Sequence, residues 1–126
     1  MVELTITAAP DVNPSTDGQP SPIAIRIYQL GATGAFEKAD YFQLHDKESA
    51  LLGTDLVSRD EVVLAPGASK TMTFEVKPGT KFLGTAAGYR AIDEATWRAD
   101  VPVPANQTTK VAVTAGKSVL TEKAGG

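Results

Sequence analysis

The sequence contains no cysteine. That excludes disulfides, thiolate metal sites and a cysteine nucleophile together, and leaves the redox compartment open. Histidine is almost as scarce, His45 being the only one. Any metal site or nucleophilic triad would therefore have to be assembled from one imidazole, carboxylates and carbonyls. Basic charge is not in excess either, with 12 Lys and Arg against 15 Asp and Glu and a formal net charge of -3. Nucleic acid binding draws its energy from Lys and Arg neutralising phosphates, so that partner is not expected. No apolar run approaches the roughly 18 residues of a membrane span. Met1-Val2 opens directly on strand-type sequence, which reads as a mature segment whose export signal has been removed.

What is present is an ordinary globular composition, 42% hydrophobic and 21% charged over 126 residues. One domain over residues 1–126 is expected. Val2 to Ala8 alternates apolar and polar residues with the period of a half-buried strand, Val2, Leu4 and Ile6 inward. Residues 10–22 carry Pro10, Pro14, Pro20 and Pro22 among Asp, Asn, Ser and Gly, which sustain neither helix nor central strand, so this is a long exposed loop. Alternation resumes at Ile23 to Leu30, with Ile23, Ile25 and Ile27 on one face and Arg26 and Tyr28 on the other.

From Ala35 the spacing of Phe36, Ala39, Phe42 and Leu44 becomes helical, giving a short helical insertion over 35–52 that Gly53 stops. Asp46 or Ser49 is positioned to start a second turn within it. Arg59 to Leu64, the turn Ala65-Pro66-Gly67 and Lys70 to Val76 read as a hairpin. Phe82 to Tyr89 is a strand whose Gly84, Ala86, Ala87 and Gly88 leave room for another element to pack closely over it. Trp97 to Val103, Thr108 to Ala115 and Ser118 to Lys123 complete the strands, and 124–126 form a flexible tail. Seven or eight short strands without βαβ alternation define an all-β fold, a two-sheet β-sandwich with a short helical insertion.

Catalytic chemistry has little to work with. His45 beside Asp46 is a general base in the functional reading and a polar residue at a helix end in the structural one, and the latter is preferred. The pairs Asp46 with Glu48, Asp60 with Glu61 and Asp93 with Glu94 lack any calcium-loop spacing, and no phosphate-binding or nucleophile-elbow glycine pattern occurs. No catalytic residue, cofactor or metal ligand is assigned. Segment 35–61 is locally acidic, seven acids to three bases, either a docking face or a solvated helix. Trp97, by its place in the alternation, is expected in the core rather than at an interface.

The run Pro20-Ser21-Pro22-Ile23-Ala24-Ile25-Arg26-Ile27-Tyr28-Gln29-Leu30, followed by Phe36, by Ala39-Asp40-Tyr41-Phe42 and by Leu51-Leu52-Gly53 with Asp55-Leu56, resembles the type VI secretion system outer-membrane lipoproteins, the TssJ family. Arg59-Asp60-Glu61-Val62, Leu64-Ala65-Pro66-Gly67, Ala86-Ala87-Gly88-Tyr89-Arg90 and Trp97-Arg98-Ala99 extend the likeness over most of the chain in one order. The resemblance implies a transthyretin-like sandwich, held by a lipidated N-terminal cysteine on the periplasmic face of the outer membrane. It also implies binding to the periplasmic C-terminal region of the inner-membrane protein TssM. Neither signal sequence nor acylated cysteine is in this sequence, so the lipid anchor rests on the resemblance alone.

The contact that the family is implied to make falls on the loop between the first two strands. Here that is Asp11, Val12, Asn13, Pro14, Ser15, Thr16, Asp17, Gly18, Gln19, Pro20 and Ser21. Its prolines limit the unbound conformations and so reduce the entropy lost on docking. Asp11, Asn13 and Gln19 would present hydrogen bonds and Val12 an apolar contact. Two other classes compete: a transthyretin-like hydrolase, which would need more than one histidine, and a carbohydrate or ligand module using Tyr28, Tyr41 and Tyr89.

Overall fold

The structure, a computed structural model, describes residues 1–104 and 107–124. Eight strands, β1 (Val2–Ala8), β2 (Ile23–Leu30), β3 (Leu56–Leu64), β4 (Ser69–Phe74), β5 (Phe82–Ala87), β6 (Arg98–Pro102), β7 (Thr109–Ala115) and β8 (Leu120–Ala124), form two four-stranded sheets. One has the order β4-β1-β7-β8 and the other β3-β2-β5-β6. All pairings are antiparallel except β1 with β7. Between the sheets lie the side chains that alternation places inward, among them Val2, Leu4, Ile6, Ile25, Leu83 and Val113, each essentially inaccessible to water. Ala124 closes β8 rather than beginning a tail, and residues 125 and 126 lie outside the described residues.

The expected hairpin over 59–76 is not formed. β3 pairs with β2 and β4 pairs with β1, so the turn Ala65-Pro66-Gly67 carries the chain from one sheet to the other. Alternation reports which face of a strand is buried, not which strand lies beside it, and a short Pro-Gly turn serves a hairpin or an arch between sheets equally. The Ala8 amide donates to the Ala68 carbonyl at 2.9 Å, which extends the β1–β4 pairing to the end of that arch.

The helical insertion comprises α1 (Gly34–Lys38) and α2 (Tyr41–Leu52). Asp40 caps α2: its carboxylate accepts from the Gln43 amide at 2.7 Å, while the Gln43 side chain accepts from the Asp40 amide, a reciprocal box that satisfies two otherwise orphaned donors. The helix breaks at Lys47, whose backbone is non-helical, which agrees with a second turn beginning near Asp46 or Ser49. Both helices lie on the outer face of the β3-β2-β5-β6 sheet, where Tyr28, Leu30, Phe36, Leu44 and Leu52 form a second buried cluster. β2 is thus covered on both faces, and Tyr28, read as outward in the sequence, is fully buried. The small residues of β5 permit this. A Cβ on Gly84 would lie 2.9 Å from Leu30 Cδ1 and 3.1 Å from the Phe36 ring, so the helical layer sits at a distance only glycine allows.

Candidate partner-binding surface

The long loop from Ala9 to Pro22 is ordered by its own backbone and by the side chains of Asp17 at the tip and Asn13 at the base. Val12 donates to Ala9 O at 3.1 Å and Ser21 to Val12 O at 3.1 Å, closing the base of the loop. At the tip, the Ser15 amide bonds Gln19 O at 2.8 Å and the Gly18 amide bonds Ser15 O at 2.9 Å, making a tight turn with Gly18 at φ 83°. The Asp17 carboxylate accepts from the Ser15 hydroxyl and the Gln19 amide, and these bonds, the Ser15 one foremost, hold its pKa below the ordinary carboxylate value.

The central residue is Asn13. It is buried, it is the one non-glycine at positive φ (49°) among the described residues, and it spends its polar groups on three different segments. Its Nδ2 donates to Pro22 O at 2.9 Å, its Oδ1 accepts from the Arg90 amide at 2.8 Å, and its own amide donates to Lys117 O at 3.1 Å. Asn tolerates the left-handed region because its short side chain bonds locally. Val12 is buried as well, in the core between the sheets.

The expected contact set therefore divides. Val12 and Asn13 face the interior and offer a partner nothing, because burial in a core and three satisfied hydrogen bonds leave no free surface. Asp11, Thr16, Asp17, Gly18, Gln19 and Pro20 are exposed, with Pro14, Ser15 and Ser21 half-buried. Nothing in the sequence distinguishes Asn13 from its polar neighbours, since its partners Arg90 and Lys117 are remote in the chain.

The acidic insertion turns its charge partly inward. Glu48 Oε2 accepts from Arg26 Nη1 at 3.0 Å and from the Tyr28 hydroxyl at 3.0 Å, and Glu48 Oε1 accepts from Arg59 Nε at 2.8 Å. Arg26 Nε donates to Glu61 at 3.0 Å. Glu48 is thereby committed to holding α2 on the sheet, and Glu61, across from Arg26 on β3, steadies the guanidinium that Glu48 binds. His45 lies in the last turn of the first helical piece of α2, where the preferred reading of the sequence put it. Its ring lies 3.1 Å from the Asp46 carboxylate and packs against Tyr41 with ring centres 5.6 Å apart, and its carbonyl accepts from Arg26 Nη1 at 3.0 Å, two residues before the Lys47 break. Trp97 is half-buried rather than in the core. Its ring meets Tyr41 edge-on at 5.2 Å and carries the Arg98 guanidinium 4.7 Å from its centre, because β6 begins only at Arg98 and Trp97 sits where the two hydrophobic clusters meet. Arg98 also donates to the carbonyls of Phe36 and Ala39, an anchor for the end of α1 that the sequence does not announce.

Two further acids are perturbed. Glu122, on the inward face of β8, accepts from the Thr85 hydroxyl at 3.0 Å and has its pKa pushed up to about 8, chiefly by burial. Asp100 is pushed up to about 6, chiefly by burial and then by its hydrogen bond to Glu37. Among the described residues no group of three or more His, Asp or Glu is arranged to hold a metal ion. Tyr28 and Tyr89 are buried, so the aromatic set of the carbohydrate reading is not assembled on one exposed face.

The fold and its irregular features, a cross-braced loop and a pinned helical layer, define an eight-stranded β-sandwich with a helical layer on one sheet. Comparison with known proteins narrows the class. The model of a family described as Type VI secretion lipoprotein, VasD, EvfM, TssJ matches residues 1–118. The chain is similar to the type VI secretion lipoprotein TssJ1 from Pseudomonas aeruginosa, with 38% identity over 99% of this chain and 95% of that one and a TM-score of 0.94. It is similar to Serratia marcescens Lip, described as a membrane-bound component of the type VI secretion system, with 27% identity, 97% and 96% coverage and a TM-score of 0.89. A chain in a structure described as the TssM C-terminal domain (869-1107) from EAEC matches with 27% identity, 98% and 100% coverage and a TM-score of 0.82. A further match is to a chain of a type VI membrane complex. No curated protein matches the chain. The chain belongs to the type VI secretion lipoprotein family, a structural component of the secretion system and not an enzyme.

Proposed function

We propose that this protein is lipid-anchored at the periplasmic face of the outer membrane and binds the periplasmic C-terminal region of a TssM-like inner-membrane protein through its β1–β2 loop. The observation that carries the reading is the loop itself. A surface segment of this length is braced from within by Asn13 while its tip is left exposed. Surface loops held by a rigid scaffold are where binding function concentrates, and bracing lowers the ordering cost of docking. The similar chain in a structure named for the TssM C-terminal domain supports TssM as the partner class.

The test is titration of the domain with the periplasmic C-terminal region of the TssM protein from the same organism. Because the Ser15 amide already bonds Gln19 O, removing Thr16 to Gly18 and joining Ser15 to Gln19 spans a short gap without disturbing Asn13. Loss of binding with an unchanged melting temperature is expected. Unchanged affinity overturns the loop reading.

A further inference from the structure

We propose that the loop is one wall of a composite docking cleft, and that an extended segment of the partner seats a side chain between the loop, the β5–β6 connection and the β7–β8 turn. This rests on the loop reading above and adds residues to it that lie far away in the sequence.

The cleft is a cavity of about 160 Å³ lined by Pro14, Tyr89, Ala91, Glu94, Lys117 and Ser118. Its size decides what it takes. Small-molecule pockets run from roughly 300 to 1,000 Å³, so this one suits a single side chain of a docked chain better than a ligand or cofactor. Its walls are cross-linked. Asn13 at the base bonds the connection at Arg90 and the turn at Lys117, and the Tyr89 hydroxyl donates to Gly116 O at 3.0 Å. The Thr96 amide donates to Ser118 O at 2.9 Å, and the Leu120 amide donates to Thr96 O at 2.7 Å. A cleft framed by hydrogen bonds between three segments exists before the partner arrives, and it loses little entropy when filled.

The tip by itself is poorly equipped to supply affinity. Its one charge, Asp17, is already engaged by Ser15 and Gln19. Binding energy at protein interfaces concentrates in side chains that fill desolvated pockets, and the pocket beside this loop is the cleft. Its rim carries one charge of each sign, Glu94 and Lys117, both exposed and neither in an ion pair among the described residues. Val119, next along the turn, is 47% exposed. The complementary occupant is an extended segment of the TssM-like partner with an apolar side chain to lie against Pro14 and Ala91 and a carboxylate beside it for Lys117.

Calorimetric titration with the TssM periplasmic region tests this on the intact domain. Ala91→Trp fills the cleft from an exposed position, and Lys117→Glu reverses the rim charge. Each is expected to raise Kd at least tenfold without changing the melting temperature, the Lys117→Glu effect shrinking as salt is raised. If the loop lacking Thr16 to Gly18 loses affinity while Ala91→Trp and Lys117→Glu bind like the parent domain, the cleft is overturned and the loop reading stands. If the shortened loop binds normally while both cleft variants weaken, the cleft is supported and the tip is not the contact. Parent-like binding by all three overturns both.

Discussion

Arg26 Nη1 and Glu48 Oε2 lie 3.0 Å apart, joining the β3-β2-β5-β6 sheet to α2 where both side chains are about 85% withdrawn from water. The same carboxylate takes the Tyr28 hydroxyl and Arg59, so Glu48 is the fastener of the helical layer. Glu48→Ala strands a partly desolvated guanidinium and a buried phenol. A loss of about 2 kcal/mol in unfolding free energy is expected, below the cost of a fully buried broken pair because Arg26 keeps Glu61 and the His45 carbonyl. Urea melts of Glu48→Ala and Glu48→Gln would show it, Gln recovering part of the loss.

Gly84 and Gly88 should respond differently to the same substitution. At Gly84 an added Cβ meets Leu30 and the Phe36 ring inside a packed cluster, and Gly84→Ala is expected to cost about 2 kcal/mol. At Gly88 the close atom is the Tyr41 hydroxyl at 2.8 Å, the far end of a half-buried side chain, with the nearest backbone atom, the Ala24 carbonyl oxygen, at 3.7 Å. Gly88→Ala should stay within about 1 kcal/mol of the parent. Equal losses in thermal melts would contradict this account of β5.

Stability should fall as pH rises through the neutral range. Glu122 has a folded pKa of about 8 against an ordinary value of 4.5, so the folded state holds a proton that the unfolded chain releases between these values. Stability from this group is fully present below about 4.5 and is lost as pH climbs to 8. Asp100 adds a smaller decline of the same sign up to about 6. Glu122→Gln, which keeps an acceptor for Thr85, is expected to flatten the slope and to gain about 2 kcal/mol at pH 8 and above. A parallel pH profile for the variant would be inconsistent with that assignment.

Asn13→Gly separates backbone strain from bracing. Glycine accepts the φ of 49° freely, so whatever is lost belongs to the bonds to Pro22 and Arg90. Amide exchange at Arg90 should accelerate more than tenfold, and Kd for the TssM region should rise while the fold is retained.

His45→Ala should cost little, within about 1 kcal/mol, because the half-exposed imidazole bonds only the exposed carboxylate of Asp46 and packs on one neighbouring ring, Tyr41, while the group that anchors Arg26 is the backbone carbonyl. Chemical denaturation checks it directly.

Local pattern carried much of this protein. Alternation at Val2 to Ala8 and Ile23 to Leu30, helical spacing from Phe36 and the small residues of β5 are written in near neighbours, and those elements appear where the spacing puts them. The ends of strands moved by a few residues, as at Leu56 and Phe74, because strand ends depend on where pairing partners run out. The candidate loop was legible from its prolines, but which of its side chains face a partner was not.

By itself the sequence determined an all-β chain with one helical interruption, without catalytic equipment, and with one long proline-bounded loop, since periodicity, composition and turn chemistry are properties of adjacent residues. Only the tertiary structure decided that β3 and β4 belong to different sheets, that Tyr28 is buried and that Glu48 serves Arg26. It also placed Val12 and Asn13 inside the loop rather than on it. Each of these depends on a contact between residues far apart in the chain, Asn13 with Arg90 above all. Such pairings are selected by how whole faces pack and by which buried polar groups must find partners, and no local pattern encodes that.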